Sequence, residues 1–299
     1  MNHAFLIMAH DSPELLQRII NNIQAPNHYV FVHLDKKSKD RMVNIKWGKY
    51  LSNRIEVSWC GFSTTQAELL LLKEAFSHPV HFDYFHLISG HDYPCVSNSV
   101  FDSFFDSAIQ GRSYMHFDSD EEHEQWIDKI RGRINGWHYN DCKKDTMIQR
   151  FVLKLKRKLY PMFSKRIYKG ELYAGWNWFS WHFSLVEWLL NYCDKNPKYL
   201  NRFRYTACAE EVIFHTLLHP YINSLNIEKN DSLRYVDWHP NRPAESLPLI
   251  LDERDYEEII NSHSLFCRKV FLGKSSILLD LLDAYIYQTK DDDVSYNLN

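Results

Sequence analysis

The sequence predicts an α/β fold built around a mostly parallel central sheet, and three observations indicate it. Short apolar runs alternate with helical patterns through the first 110 residues, which is typical of repeated strand-helix-strand units. The chain has 299 residues, which is long enough to bury a sizeable core. Hydrophobic residues make up 45% of it and aromatic residues 15%, a composition that excludes a disordered protein.

Two helices are predicted among the first strands of the sheet. The stretch DSPE (11–14) supplies a capping residue and a proline for the first turn of a helix over 14–23. The stretch STTQ (63–66) forms a capping box that opens a helix over 66–76. The apolar runs predicted as strands are HAFLIMA (3–9), YVFVHLD (29–35), RIEVSW (54–59) and YFHLIS (84–89).

Beyond residue 110 the same kinds of pattern continue. The predicted strands are SYMHF (113–117), WNWFSW (176–181) and RYVDW (234–238), and the helical patterns cover 118–134, 186–193, 206–219, 253–261 and 275–287. Since no internal repeat and no linker rich in Pro, Gly or Ser interrupts the chain, we predict one domain over 1–289 and a flexible tail over 290–299.

Composition excludes several classes of protein. With 9 glycines the chain has too few for a Gly-rich phosphate loop, and a net charge of -3 argues against a dedicated nucleic-acid binder. Six cysteines without a CxxC pair favour free, mostly buried thiols in a reducing compartment. No apolar run approaches the ~20 residues of a membrane span, and the N-terminus lacks the basic region of a signal peptide, so we expect a cytoplasmic protein.

Candidate nucleotide-binding residues follow the predicted strands. An open α/β sheet binds ligands at the carboxyl ends of its strands, where this chain carries 9–11, 33–35 and 89–92. The first turn, AHDSPE, lacks the glycines that bind a dinucleotide. A mononucleotide remains open, with Asp35 accepting hydrogen bonds from it; the alternative is that Asp35 is an ordinary loop residue.

Two acidic motifs are candidates for chemistry. Glu210 and Glu211 lie in the apolar stretch ACAEEVIFHTLL, where only one carboxylate is expected to point inward, with the raised pKa of a general base; the alternative is a solvated pair. The sequence has no HExxH or ExxH pattern there. Asp118-Ser119-Asp120 matches the DxD element that binds a divalent metal, but it also reads as the solvated start of a helix.

Positive charge late in the chain is a candidate for stabilising a departing diphosphate, which needs either a metal or basic side chains. The alternative is that these residues are solvated surface cations. They are Arg234, Arg242, Arg254, Arg268 and Lys269.

These motifs, in this order, resemble glycosyltransferase family 14, the core-2/I-branching β-1,6-N-acetylglucosaminyltransferases, whose relatives include peptide O-xylosyltransferases. The resemblance covers roughly 3–110 and 172–272. It rests on AFLIMAHDSPELLQRII, VFVHLDKKS, WCGFSTTQAELLLLKEAF, YFHLISGHDYPCVSN, GWNWFSW, CAEEVIFHTLL, RYVDW and LFCRKVF. It implies a GT-A-like fold with a Rossmann-like nucleotide-sugar-binding half over 1–110 and an acceptor and catalytic half over 111–289, including a basic insertion at about 136–170.

The resemblance also implies roles for individual residues. Glu211 matches the general base of an inverting, metal-independent transfer from a UDP-sugar, and no cofactor is implied. Trp238 matches a sugar-stacking tryptophan. Apart from the resemblance, Trp176 or Trp178 is a further candidate for an acceptor contact, because aromatic rings stack on the apolar faces of sugars. The UDP-sugar contacts fall on Ala9, His10, Asp35, Asp92 and Lys269, with the Asp92 loop standing where other GT-A enzymes carry DxD. We add Arg268, the neighbour of Lys269, to the UDP-sugar contacts as a candidate that the resemblance itself does not place.

The sequence departs from the family pattern in two places. The stretch SLPLILDE (246–253) has no arginine where the family places one against the diphosphate, and Arg242, Arg254 or Arg268 is the candidate replacement. Residues 118–170 have no clear counterpart, so the acceptor is not implied.

The function predicted is glycosyl transfer from a UDP-sugar, with GlcNAc as the first donor sugar, to a glycan or lipid-linked glycan. The alternatives are a xylosyltransferase, an inactive carbohydrate-binding relative and, more weakly supported, a metal-dependent nucleotidyl or phosphoryl transferase. The stretch 151–170 carries seven Lys or Arg and no acid, which fits either peripheral contact with an anionic membrane or a solvated helix. The absence of an anchor favours a bacterial-type enzyme of surface polysaccharide biosynthesis, at the inner face of the membrane.

Overall fold

A computed structural model of the protein describes residues 1–107, 109, 111–142, 146–163 and 166–289. The predicted tail over 290–299 lies outside the described residues. Ten strands are described: β1 His3–Ala9, β2 His28–Leu34, β3 Gly48–Tyr50, β4 Tyr84–Ser89, β5 Asp92–Pro94, β6 Ser113–Phe117, β7 Gly175–His182, β8 Ile227–Glu228, β9 Arg234–Val236 and β10 Phe266–Arg268.

The central sheet has seven strands in the order β3-β2-β1-β4-β7-β6-β8. All neighbouring pairs are parallel except the two made by β7, which runs antiparallel to both β4 and β6. A second, small sheet has the order β5-β10-β9. The prediction of a mixed α/β fold with a mostly parallel central sheet, as in GT-A enzymes, is confirmed.

Helices cover both faces of the central sheet. Along β1, Phe5 and Ile7 pack on one face with the helices over 13–23, 98–107 and 276–288. Ala4 and Leu6 pack on the other face with the helices over 62–76, 183–195 and 213–218. No helix in the described ranges is both long enough and apolar enough to cross a membrane. The helices are α1 Pro13–Ile23, α2 Phe62–Phe76, α3 Asn98–Ser107, α4 Asp120–Asn135, α5 Met147–Phe163, α6 Phe183–Lys195, α7 Pro197–Phe203, α8 Ile213–Leu218, α9 Tyr256–Asn261 and α10 Ser276–Gln288.

The predicted strand over 54–59 is wrong. The strand that pairs with β2 is β3, in which Gly48 lies opposite Val30 with a φ of 130°. A Cβ at Gly48 would stand 1.9 Å from the Val30 carbonyl oxygen, so only glycine allows this pairing. The run 54–59 has no strand partner because its hydrogen bonds go elsewhere: the Ile55 amide donates to His33 Nε2 and the Ile55 carbonyl accepts from the Lys36 amide.

Two helix predictions need correction at their boundaries. Helix α2 begins at Phe62 after the cap residue Gly61, so the stretch 63–66 lies inside the helix rather than before it. The predicted helix over 206–219 is interrupted, because Cys208 has a φ of 50° and Val212 departs from helical geometry. The result is a 3₁₀ turn over Ala209–Glu211 followed by α8.

The prediction that the cysteines are free is wrong for two of them. Cys60 and Cys208 form a disulfide across a separation of 148 residues. Cys95, Cys193 and Cys267 are free and buried, and Cys142 is free and half-buried. Because the bonded pair is so distant in sequence, no local spacing indicates it. The disulfide fastens the turn before α2 to the turn that carries Glu210 and Glu211.

We expect thiol titration of the denatured, unreduced protein to count four thiols, and six after reduction. Cys60→Ser should raise the unreduced count to five and lower the stability, since losing a disulfide typically costs roughly 2–5 kcal/mol. Cys142→Ser is the matched control, which should lower the unreduced count to three. Six thiols in the unreduced protein would contradict the pairing.

Candidate active site

The carboxyl ends of β1, β2 and β4 meet at one edge of the central sheet, in the registers Ala9 to Leu34 and Met8 to Ser89. The Asp35 amide donates to the Ala9 carbonyl at 2.8 Å, and the Gly90 amide donates to the Met8 carbonyl at 2.9 Å. The predicted nucleotide residues Ala9, His10 and Asp35 therefore lie together where an open α/β sheet binds ligands.

These residues differ in how free they are to meet a ligand. Asp35 is buried and accepts hydrogen bonds from the amides of Lys37 and Val57, at 2.8 and 3.3 Å. His10 is exposed, and its ring lies 5.6 Å from that of His91. Asp11 lies between the two, 3.4 Å from His10 Nε2 and 3.1 Å from His91 Nε2. This edge thus offers imidazole and carboxylate groups but no glycine-rich loop.

Asp92 is buried in the turn after β4 rather than open to solvent. Its Oδ2 accepts from the Ser89 amide at 2.6 Å and from Arg268 Nη1 at 3.1 Å. The Arg268 guanidinium also lies 4.4 Å above the ring of Trp178. Asp92 and Arg268 therefore form an ion pair that closes the base of the site. The Asp92 Oδ1 atom is buried, and no described residue donates a hydrogen bond to it.

The late basic residues differ in whether groups of the protein already pair with their charge. Arg234 donates to backbone carbonyls inside the fold, and Arg242 and Arg254 pair with Asp255 and Asp252. Lys269 follows β10 directly and is half-buried, and among the described residues it has no ion-pair partner. Burial, followed by the charge of Arg268, lowers the pKa of Lys269. Of the five candidates for a diphosphate contact, Lys269 is the one that remains available.

Glu211 lies on the 3₁₀ turn that precedes α8 and is accessible to solvent. Its Oε2 accepts a hydrogen bond from Arg133 Nη1 of α4 at 2.8 Å, and 44% of its side chain is exposed. The guanidinium orients the carboxylate, and the other carboxylate oxygen accepts no hydrogen bond from the residues that the structure describes. Glu211 is therefore a carboxylate that a substrate hydroxyl can reach.

Glu210 points in a different direction from its neighbour. Its Oε2 atom is buried and has no hydrogen-bond partner in the described part of the chain, although the residue as a whole is only half-buried. Burial raises the pKa of Glu210 to about 8. Glu68 of α2 is fully buried, and burial together with the charge of Glu210 raises its pKa well above the ordinary value. Asn177 of β7 donates to Glu68 Oε1 at 3.0 Å. The raised pKa that the sequence associates with the inward carboxylate thus belongs to Glu210.

The DxD match forms the start of α4. Ser119 caps the helix in a reciprocal capping box with Glu122, and Asp120 lies in the exposed first turn, which agrees with the solvated helix start weighed for this motif. Asp118 is different, because it faces Glu211 and Arg133. Burial, with the charges of Glu122 and Glu211, raises the pKa of Asp118 to about 6.

Aromatic rings extend the site beyond Glu211. Trp176 stacks on His116 with the ring centroids 4.2 Å apart, and its ring lies 6.3 Å from that of Trp238. Trp238 is 38% exposed. Trp176 and Trp178 are two residues apart on β7, so they project from the same face of that strand. The predicted acceptor residues therefore lie together and reach Arg268 through Trp178.

Sequence reasoning missed several members of this constellation. Arg133 belongs to a helix whose charges read as solvated, and Asn177 lies in an aromatic strand. Glu68 did carry a signal, because it is the one acid in the apolar run AELLLL (67–72). A carboxylic acid buried among apolar residues needs a hydrogen-bond partner or must keep its proton. Glu68 has both, because Asn177 donates to it and its pKa is raised.

Comparison with known proteins supplies a family. A sequence model described as Core-2/I-Branching enzyme matches residues 3–260. A human β-1,3-galactosyl-O-glycosyl-glycoprotein β-1,6-N-acetylglucosaminyltransferase is 26% identical over 103 residues, which is 32% of this chain and 24% of that protein. Rat xylosyltransferase 1 is 23% identical over 250 residues, or 79% of this chain and 28% of that protein. The aligned part of the chain thus spans about a quarter of each relative's length.

We expect Glu210→Gln to stabilise the protein at neutral and alkaline pH. Glu210 keeps its proton in the folded state up to a pKa of about 8, whereas unfolding lets it ionise near 4.5. The contribution of the protonated Glu210 to the free energy of unfolding is therefore fully present below pH 4.5. It is lost as the pH rises towards 8, by at most about 1.4 kcal/mol per pH unit.

Thermal unfolding from pH 5 to pH 8 measures this effect. The melting temperature of Glu210→Gln should exceed that of the parent by a margin that grows with pH, while exposed Glu257→Gln, the matched control, follows the parent. A margin that does not change with pH would contradict the raised pKa.

Proposed function

Because the chain belongs to the Core-2/I-Branching enzyme family, a family of glycosyltransferases, we propose that it transfers a sugar from a nucleotide donor to a glycan hydroxyl. We propose UDP as the carrier, N-acetylglucosamine as the first donor sugar and xylose as the second, since the two relatives are named for these transfers. The observation that carries the proposal is that β7, with Trp176 and Trp178, contacts both the turn of Glu211 and the Arg268 side chain beside Lys269. An accessible carboxylate, a cation without an ion-pair partner among the described residues, and aromatic rings thus belong to one region of the fold.

Glu211 is proposed as the general base of an inverting reaction. It takes the proton of the acceptor hydroxyl while that oxygen bonds to the anomeric carbon of the donor. The bond from that carbon to the diphosphate breaks, and its electron pair leaves with the diphosphate. Arg133 holds the carboxylate in place, and the nearby Asp118 disfavours a second negative charge and so favours proton uptake by the pair. Glu210 is less suited because its Oε2 atom is buried.

Lys269 is proposed to stabilise the departing diphosphate. Its lack of an ion-pair partner among the described residues leaves its charge available, whereas Arg242 and Arg254 are neutralised by Asp252 and Asp255. A half-buried cation beside the leaving oxygen lowers the barrier without rearrangement, because it is already in place. Ala9, His10 and Asp35 are proposed to bind the nucleotide at the edge of the sheet, with Asp92 and Arg268 shaping its floor.

Trp176 and Trp238 are proposed to bind the acceptor. The Trp238 ring is 38% exposed and the half-buried Trp176 ring lies 6.3 Å from it, and aromatic rings are suited to stacking on the apolar face of a sugar ring. The alternative is a carbohydrate-binding relative that binds a sugar without transferring it. The pairing of the other late arginines would favour this alternative, because it removes them as diphosphate contacts. A screen that measures UDP release across UDP-sugars separates an active from an inactive protein and identifies the donor.

We expect Glu211→Gln to lower turnover by roughly 10²–10⁴-fold while UDP binding is retained, because the amide cannot accept the proton. Lys269→Met should show the opposite pattern, weakening UDP binding with Glu211 intact. Initial rates of UDP release and calorimetric titration with UDP measure the two effects. Exposed Glu187→Gln of α6 is the matched control for the first variant, and Lys274→Met for the second.

Three outcomes would overturn parts of this proposal. Unchanged turnover in Glu211→Gln removes the base, and no binding at millimolar UDP favours the inactive relative. Rapid loss of turnover in excess EDTA would contradict metal independence. It would return attention to Asp118 and Asp120, and to the cluster of His10, Asp11 and His91, whose ligand atoms lie within 4.8 Å of one another.

The basic insertion supports a second proposal, peripheral attachment to an anionic membrane at its cytoplasmic face. Helix α5 exposes an apolar stripe at helical spacing, and the cations Arg150, Lys154, Lys156, Arg157 and Lys158 are interleaved with it. Such a helix lies in the interface with its apolar side down and its cations against anionic headgroups. The stripe is formed by Met147, Ile148, Phe151, Val152, Leu155 and Leu159.

We expect the protein to sediment with vesicles of anionic phospholipid and to stay in solution with neutral vesicles. Reversing the charges of Lys154, Lys156, Arg157 and Lys158 to Glu should abolish sedimentation, since each basic residue contributes about 1 kcal/mol near such a surface. The matched control reverses Lys39, Lys195, Lys198 and Lys274, which are also exposed. Equal sedimentation of the two reversed variants would discard the proposal.

A further inference from the structure

We propose that His3, His28 and Asp102 form a zinc site at the amino edge of the central sheet, opposite the candidate active site. His3 and His28 are the first residues of β1 and β2 and are paired in register, and Asp102 lies on α3. One ligand atom from each lies within 4.8 Å of the other two. Two imidazoles and a carboxylate are ligands that zinc prefers. The inference does not rest on the proposed function.

The distances fit a small tetrahedral ion. Asp102 Oδ1 lies 3.6 Å from His3 Nε2 and 2.6 Å from His28 Nε2. With bonds of about 2.0–2.1 Å, ligand atoms around zinc stand about 3.3 Å apart. The His3 separation is close to that value. The His28 separation reaches it by a small outward movement of Asp102, whose side chain is 30% exposed.

The hydrogen bond of His28 Nδ1 determines which ring nitrogen keeps a lone pair for an ion. Its Nδ1 lies 2.9 Å from the Ile23 carbonyl oxygen, and because a carbonyl only accepts, Nδ1 carries the proton. In the neutral ring Nε2 then has a lone pair, and it faces the Asp102 carboxylate. Two acceptors at this distance need a positive charge between them, supplied either by a second proton on His28 or by a metal ion.

The surroundings of His3 also favour a metal. His3 is fully buried, and its Nε2 has no hydrogen-bond partner among the residues that the structure describes. Its Nδ1 lies 3.0 Å from His86 Nε2, and His86 Nδ1 lies 2.9 Å from Ser180 Oγ. Donation along this chain, from His3 to His86 and from His86 to Ser180, leaves the lone pair of His3 Nε2 directed at Asp102. An ion at that point would satisfy a buried nitrogen that the protein leaves unsatisfied.

Hydrogen-bond partners already orient the three side chains that would bind the ion. Asn27 Nδ2 donates to Asp102 Oδ2 at 3.0 Å, which leaves Oδ1 for the ion. The three ligating side chains are thus each oriented by a partner: the Ile23 carbonyl, His86 and Asn27, as is usual for zinc ligands. The exposed side of Asp102 gives entry and a fourth position for water. Such an ion would join β1, β2 and α3 and serve stability rather than turnover.

The experiment uses the full chain, freed of metal with a chelator and then dialysed. Addition of zinc should raise the melting temperature and leave one zinc per chain after gel filtration, as counted by mass spectrometry. Cobalt should give the visible absorption of a tetrahedral site. Asp102→Asn should lose the bound zinc and the absorption, whereas Asp102→Cys should restore both and add a thiolate-to-cobalt charge-transfer band.

His10→Gln is the matched control, because it alters the other histidine cluster, and it should retain one zinc. Zinc that is lost in His10→Gln and kept in Asp102→Asn would overturn the assignment. Absence of retained zinc in the folded parent protein would also overturn it and would leave a protonated His28 as the partner of Asp102. Turnover by chelated protein below its melting temperature is expected to persist, so failure of this site and failure of the proposed transfer are distinguishable.

Discussion

The orientation of β7 is the constraint on which the rest of the structure depends. Strands β1, β2 and β4 are parallel to one another, so their carboxyl ends, with His10 and Asp35, share one edge. Because β7 is antiparallel to β4, its amino end, with Trp176 and Trp178, comes to the same edge. Arg234 fastens this junction by donating to the carbonyls of Leu87 and Phe179. One reversed strand thus brings nucleotide and acceptor residues together.

Side chains of the same type have different surroundings at this edge, and the surroundings determine which of them are available for chemistry. Two adjacent glutamates face different surroundings: Glu210 is kept neutral by burial, whereas Glu211 is held in the open by Arg133. The late cations divide in the same way, since carboxylates neutralise Arg242 and Arg254 and leave Lys269 unpaired among the described residues. The fold thereby selects one base and one cation from several candidates of the same type.

Much of the fold was predictable because buried strands and amphipathic helices leave periodic apolar patterns. β1, β4 and β6 have the same boundaries in the sequence analysis and in the structure. The strand over 54–59 failed because the Ile55 amide donates to His33 Nε2 instead of to a neighbouring strand, and Trp59 of its apolar pattern is 90% exposed. The positions of Glu210 and Glu211 were predictable, but their environments were not, because Arg133 and Glu68 come from distant parts of the chain.

The disulfide between Cys60 and Cys208 has a consequence for a cleaved chain. A protease cut between them, for example beside the exposed helix α5, would leave two fragments joined by a covalent bond. One fragment would carry β1, β2 and β4 and the other Glu211 and Lys269, so cleavage alone would not let them diffuse apart. The bond keeps their effective concentration high, and loss of the assembled edge would then require both a cut and a reductant.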